Sequence, residues 1–479
     1  FTPFRETAED KVWVEAGGTP SVDWNRMFKY MRYYPHSCSE QICSKGLTLL
    51  YALQNLSEEN YGKARDMIPQ MIDDLYSRQR SDGGILYWPG TGKSNEWVSS
   101  MALEFLAAAR AEGFQVAGDV VNALVKYQRN CVNAYKRSTG YALDDLAQAY
   151  RLFSLAVSGN ADEASMNRLK LGGELSWPAT MMLASAYSAC GKAAVGKEII
   201  DAFGDNSKEW TPSDMTFGSS LRDNAIMLEA LVRTGDISAA VSHAAEIIRN
   251  YDAAYWNTQE SFFIAKAFRE LSAKVTKDKI KADASNSKSK SERNGVITWN
   301  IDSSAGMTSV TNNSAGPVFV RFTAVSQPSP DTAVKEASNG GLELNVRYTG
   351  LEDITVDPAE MVQGDEFTAV ITVSNCSATG NFSNLALTYL IPSGWEIIND
   401  RLTGTEENDG RYDRLDIRDD RVLLYFDLPM NTYKKFRIRL RAAYEGDYIL
   451  PSASCECMYD RSVNACTASE RCKVTRLGE

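Results

Sequence analysis

Four consecutive residues, Cys38, Ser39, Glu40 and Gln41, place a nucleophile and an acyl source within reach of each other. The segment Tyr33-Tyr-Pro-His-Ser-Cys-Ser-Glu-Gln41 runs directly into an amphipathic stretch from Ile42 to Leu56, so Cys38 and Gln41 sit three apart where a loop meets the first turn of a helix. That offset lets two side chains meet on one side of the backbone. Attack of the Cys38 thiol on the Gln41 amide carbon would expel ammonia and leave a cyclic thioester. A cysteine at a helix N-terminus has a stabilised thiolate, which helps it both to close the ring and to leave it. The acyl group so formed is open to an amine or hydroxyl of another protein. C-x-E-Q is a short pattern, and a plain alternative fits it: Ser37 or Ser39 capping a helix, Glu40 favouring its dipole, and Cys38 in a disulfide with Cys43.

The elements that must position these residues fall into two classes. From about residue 22 to 275 apolar residues recur every three or four positions, with short Gly, Asn or Asp breaks such as Ser81-Asp-Gly-Gly84, Ser158-Gly-Asn160 and Thr234-Gly-Asp236. About twelve helices are predicted, starting near Trp24, Gln41, Tyr61, Glu96, Gly118, Leu143, Ala161, Ala179, Lys192, Ser219, Ile237 and Thr258. Twelve helices with short connections pair into about six antiparallel hairpins, which either close into an α/α toroid or stack as an open solenoid. After a polar stretch at 276–292 the period changes to two, in pieces such as Leu342–Tyr348, Phe367–Val373 and Lys435–Leu440, which predicts β-sandwich domains. The chain is thus a multidomain α plus β protein. Asp10–Glu15 is also strand-like and is expected to pair with strands around 295–325, so that the toroid is inserted in a small β domain.

Composition narrows the function. A net charge of −11 gives no footprint for nucleic acid. No apolar run reaches the roughly 20 residues of a membrane helix, and residues 1–20 lack the regions of a signal peptide. The chain opens with Phe1 and reads as a piece of a longer polypeptide. Two histidines, His36 and His243, leave no metal site or cofactor to expect. Nine cysteines become eight once Cys38 is consumed, a number compatible with disulfides of unspecified connectivity. Asp73-Asp74 and Asp144-Asp145 read as solvated helix surface, since adjacent residues point to different faces. Trp88, Trp97, Trp177 and Trp256 read as core or toroid lining.

The stretch around Cys38 resembles the thioester segment of bacterial alpha-2-macroglobulins, which reads Y-P-Y-G-C-x-E-Q. The resemblance continues through Ser81–Gly90, Trp97–Leu106, Gln148–Phe153, Met166–Leu169, Gly218–Asp223, Tyr255–Glu260, Leu390–Trp395, Tyr412–Asp419 and Met458–Asp460. It implies a non-enzymatic, broad-spectrum protease inhibitor of the bacterial periplasm or cell envelope. In it, further macroglobulin-like domains and a bait region precede residue 1, and attacking proteases are caught covalently through their lysines. It also implies the domain order: 1–20 as the first strand of a CUB-like β domain, 21–275 as the thioester domain, 276–292 as a polar linker, 293–340 as the rest of the CUB-like domain, and 341–479 as a C-terminal macroglobulin-like sandwich.

The family pattern is broken twice. Ser37 replaces the usual Gly, which predicts strain if that position needs a positive φ. His36 replaces the second Tyr, which leaves Tyr34 as the candidate shield of the thioester and Tyr459 as a second group closing over it. His36 itself is a candidate for tuning acyl transfer. Two other functions compete: a surface adhesin using the same thioester, and an α/α-toroid hydrolase with a carboxylate pair and no thioester.

Overall fold

The structure, a computed structural model, describes residues 11–136, 143–204, 212, 214–250, 257–275, 280–293, 295–302, 304, 306–325, 333–350, 353–378, 380–398 and 412–476. The chain divides into two compact units, Phe1–Gln327 and Pro328–Glu479.

Among the described residues twelve α-helices fill most of the first unit: α1 (Trp24–Tyr33), α2 (Ser39–Ala52), α3 (Glu58–Tyr76), α4 (Glu96–Ala111), α5 (Gly118–Ala134), α6 (Leu143–Val157), α7 (Glu163–Leu171), α8 (Trp177–Ala189), α9 (Ala193–Phe203), α10 (Ser220–Thr234), α11 (Ile237–Asn250) and α12 (Thr258–Lys274). Their starts are written locally. Asp23, Ser57, Asn95, Asp162, Ser176, Ser219 and Asn257 each accept a backbone N–H of the helix they precede, which supplies partners for donors that a helix end otherwise leaves open. Gly235, at φ 90°, ends α10 in the left-handed region.

The even-numbered helices pack in the cycle α2–α4–α6–α8–α10–α12, and α12 returns to α2. That last contact closes the ring and excludes the open solenoid. The odd-numbered helices lie outside it. The division follows from amphipathicity: α8 buries the whole run Pro178–Tyr187, as an inner helix must, whereas α3 buries only Ala64, Ile68, Met71, Ile72 and Leu75, a stripe at helical spacing.

Close approach of α2 to α4 depends on Gly46. A Cβ placed there would come within 2.4 Å of the Phe105 ring, which is fully buried and has nowhere to move. Gly46→Ala is therefore expected to lower stability by about 1–3 kcal/mol despite the better helix propensity of alanine, measured as a lowered midpoint of the helical unfolding transition.

The first unit also holds a four-stranded antiparallel sheet. Strand Lys11–Gly17 sits inside it, paired on one side with Val296–Ile301 and on the other with Phe319–Val325. Val12, Val14, Ala16, Ile297, Trp299 and Ile301 make its core, and Glu15 opposite Arg321 forms a cross-strand ion pair. The helical ring is thus inserted between the first and later strands of one sheet, as expected. The expected linker at 276–292 is corrected: Ala282–Ala284 and Ser287–Arg293 are strands, and the latter forms the sheet's outer edge against Val296–Ile301.

The second unit contains a four-stranded and a six-stranded sheet whose inner faces share one core, with Phe367, Trp395 and Phe436 from the first and Leu387, Phe426 and Cys455 from the second. Its six-stranded sheet ends in Ala337–Asn339, hydrogen-bonded to Asp460–Cys466. Residues before 341 therefore belong to the sandwich, and the expected boundary at 340 moves upstream. Cys376, Cys455, Cys466 and Cys472 of this unit are thiols.

Candidate functional site

Cys38 is the N-cap of α2, with φ −64° and ψ 167°. Its backbone N–H donates to Gln41 Oε1 at 2.8 Å, while its side chain faces the N–H of residue 41, the reciprocal half of a capping box. Because an N–H can only donate, this bond fixes which end of the Gln41 amide faces the cysteine. Oxygen is held toward the Cys38 N–H, and nitrogen, the atom that would leave in a ring closure, is the other substituent. Cys38, Ser39, Glu40 and Gln41 are all fully buried.

The alternative Cys38–Cys43 disulfide does not fit. Five helical steps rise about 7.5 Å along the axis, more than the span a disulfide bridges between Cα atoms. Burial pushes the Cys43 thiol well above its ordinary pKa, with the Glu40 and Cys38 charges adding to the effect, so Cys43 is no competing nucleophile at neutral pH.

Two cations grip the loop before α2. Lys45 Nζ donates to the carbonyls of Tyr34 at 2.7 Å and His36 at 3.4 Å, and Arg78 Nη1 donates to the Ser37 carbonyl at 2.9 Å and to Ser39 Oγ at 3.2 Å. The Ser39 N–H donates to the Tyr87 carbonyl at 2.9 Å, which anchors the loop on the segment after α3. Ser37 is not among the described non-glycine residues with positive φ, so the expected strain at that position is absent. Tyr34 and His36 are both buried and pack edge to face at 5.0 Å, with Tyr30 5.3 Å from Tyr34. The second unit holds Tyr459, which with Met458 forms the two-residue turn between Cys457 and Asp460.

Sequence reading missed the residues that hold this loop. Lys45 and Arg78 act through main-chain carbonyls, which carry no residue-type signal. Thr258 and Gln259 lie in a phrase noted for its resemblance, Tyr255–Glu260, and their role becomes visible only once α12 meets α2. Trp97 does line the ring, 4.6 Å from Tyr150; Trp256 lies outside the described residues. Asp145 is corrected from surface to core: it is buried and accepts from Ser176 N at 2.6 Å and Ser176 Oγ at 2.9 Å, which fixes the start of α8. His243 is structural, its Nε2–H donating to the Asn224 carbonyl at 3.0 Å, and burial lowers its pKa.

Residues 341–461 match the family model of the Bacterial Alpha-2-macroglobulin MG10 domain. Across 94% of its length the chain is 22% identical to the Alpha-2-macroglobulin homolog of Yersinia pestis, covering 25% of that protein. Along nearly its whole length the chain is similar to bacterial alpha-2-macroglobulins. It spans about a quarter of the length of the curated relatives it matches. Its fold is shared with native alpha-2-macroglobulin from Escherichia coli spanning domain MG7 to the C-terminus, at TM-score 0.81 and 22% identity over 97% of this chain and 77% of that one. It is also shared with Salmonella alpha-2-macroglobulin reacted with methylamine, at TM-score 0.82 and 22% identity over 98% of this chain and 32% of that one.

At the centre of the helical ring lies a second polar cluster. Lys266 of α12, fully buried, is 3.2 Å from Glu104 Oε1 of α4 and 2.8 Å from Glu229 Oε2 of α10. Tyr51 and Tyr150 donate to the two oxygens of Glu104 at 2.8 and 2.7 Å. Arg233 bonds Glu229 at 2.8 Å and also pairs with Glu270. This carboxylate pair, sealed by a lysine and two phenols, offers no approach to a sugar. Among the described residues no group of three or more metal-ligating side chains occurs, and no helix is long and apolar enough to cross a membrane.

Burial pushes Glu270 up to about 7, against the pull of Arg233 and with the help of Glu229. A carboxyl raised on folding contributes stability that is complete below its unfolded value of about 4.3 and is lost as pH rises through about 7. Glu270→Gln is expected to flatten that slope, so that urea midpoints at about pH 5 and about pH 8 differ less than in the wild type.

Proposed function

We propose that this chain is the thioester-bearing part of a covalent protease inhibitor, with the reactive bond between Cys38 Sγ and Gln41 Cδ. The observation that carries the reading is the 2.8 Å bond from Cys38 N–H to Gln41 Oε1 inside a fully buried helix start. With the Gln41 oxygen held by the Cys38 N–H, the acyl carbon would be within reach of the thiol, and the donor would sit where negative charge develops on oxygen when sulfur attacks. Collapse of that intermediate releases ammonia, the amide nitrogen taking up a proton as its bond to carbon breaks, and the S–C bond remains. Burial keeps water from the product.

In capture the sulfur becomes the leaving group. A lysine amine of the bound protease attacks Cδ, the C–S bond breaks, and an amide to Gln41 replaces it. The departing thiolate is stabilised at the α2 N-terminus and takes the proton shed by the attacking nitrogen. Tyr34 and His36 shield the ring by packing against each other over the loop, and Tyr459 is assigned to the same shield on the family resemblance alone. Upstream macroglobulin-like domains would deliver the protease, and the periplasm or cell envelope would be the setting. A thioester adhesin would share this chemistry; the similarity to alpha-2-macroglobulins along nearly the whole chain favours the inhibitor.

Methylamine tests the bond. Intact mass of freshly prepared protein should be one ammonia lighter than its sequence. Methylamine should then add to residue 41, with Cys38 becoming alkylable in the same step. An unmodified glutamine beside a freely alkylated Cys38 in untreated protein would sink the proposal.

A further inference from the structure

Glu40 lies between the two reacting residues and contributes only main-chain atoms to the ring, yet its side-chain carboxylate is where the helical ring closes. Its Oε1 accepts from Ser44 Oγ at 2.5 Å, Thr258 Oγ1 at 3.1 Å and Gln259 Nε2 at 2.7 Å, and its Oε2 accepts from Thr258 Oγ1 at 2.9 Å. Thr258 and Gln259 are the first two residues of α12, whose N-cap Asn257 accepts from the Glu260 N–H at 2.7 Å. Gln259 continues the chain of contacts into α4: its Oε1 accepts from Trp97 Nε1 at 3.3 Å, and its Nε2 is 3.2 Å from Met101 Sδ. The N-terminal ends of α2, α12 and α4 are thereby tied together through one carboxylate, all of it buried.

Adjacent residues of a helix point about 100° apart around its axis. Holding Glu40 toward α12 therefore fixes the direction of Gln41 in the same turn. We propose that Glu40, Thr258 and Gln259 form a positioning clasp that aims the Gln41 carboxamide at Cys38, so that ring closure depends on the α2–α12 seam. The inference rests on the thioester reading above. Glu40 acts here as an acceptor of oriented hydrogen bonds, and its effect reaches the reacting atoms only through Gln41. A clasp of this kind also makes the seam a place where separating α12 from α2 would release Gln41 from its aim.

The test uses the full-length protein and reads thioester occupancy by intact mass alongside the thermal midpoint of the helical unfolding transition. Gln259→Glu sets two carboxylates against each other, and Glu40→Gln weakens the acceptor. Each should lower occupancy roughly tenfold, the factor expected when one buried hydrogen bond is lost from the competent geometry. The double variant Glu40→Gln with Gln259→Glu reverses donor and acceptor across the seam and should restore occupancy. Wild-type occupancy in both single variants overturns the clasp and leaves the thioester reading standing. Loss of occupancy that merely tracks loss of folded protein, with no recovery in the double variant, also overturns it. A wild type with an intact glutamine overturns the thioester reading and the clasp together.

Discussion

Full-length protein carrying Cys38→Ser is expected to form no denaturation-resistant bond to a protease it engages, so that the conjugate band on a denaturing gel falls to background. An alcohol at this position is protonated at neutral pH and is a far weaker nucleophile than a thiolate at a helix start. The Gln41 amide would therefore stay an amide, and no activated acyl group would exist for a lysine to attack. The loss should be chemical and not structural. Serine is among the preferred N-cap residues, so position 38 keeps its role in the capping box and α2 keeps its start. The thermal midpoint should accordingly be unchanged or slightly raised while capture disappears. Conjugates surviving in Cys38→Ser would show that another group makes the covalent bond. Retained capture together with a methylamine-reactive Gln41 would be still more damaging, because the thiol would then have no part in activating the acyl carbon.

Much of the scaffold behind this site was legible because its signals are local. The helix starts at Asp23, Asn95, Ser219 and Asn257 follow from capping chemistry, and Cys38–Gln41 was found because both partners lie within one turn. What could not be read depends on residues far apart in the chain. Ser287–Arg293 is exposed along its whole length, so it has no period-two apolar pattern and resembles a linker; only pairing with Val296–Ile301 makes it a strand. Asp145 reads as surface until Ser176 arrives from the next hairpin. Glu40 reads as a helix-dipole residue, which it is, but its partners Thr258 and Gln259 are more than two hundred positions away. The sequence thus discloses the candidate pair Cys38 and Gln41, while the partners of Glu40 become visible only when the ring closes.

The largest effect on stability is expected at Lys266. Its ammonium lies in ion-pair range of Glu104 and Glu229, though neither contact has hydrogen-bond alignment, and it faces the rings of Phe153, Phe263 and Phe262 at 4.5, 4.8 and 5.1 Å. The carboxylates come from α4 and α10 and the rings from α6 and α12, so one side chain balances two charges and packs against groups of four inner helices. Lys266→Ala would leave two carboxylates buried without their shared counter-charge and a cavity where the aliphatic stem had packed. Breaking a buried pair in this way costs about 3–5 kcal/mol, and the cavity adds to that. Lys266→Met separates the two contributions by filling the volume without restoring charge, and it should recover only the smaller part. Combining Lys266→Met with Glu104→Gln and Glu229→Gln removes the uncompensated charge. The glutamine at 104 can accept from one tyrosine and donate its amide N–H to the other phenol oxygen, and the glutamine at 229 can still accept from Arg233, so this triple variant should regain most of the lost stability. Denaturant midpoints of the helical transition decide the matter: a single Lys266→Ala variant within about 1 kcal/mol of the wild type would mean that the aromatic faces, and not the charges, hold the centre of the ring.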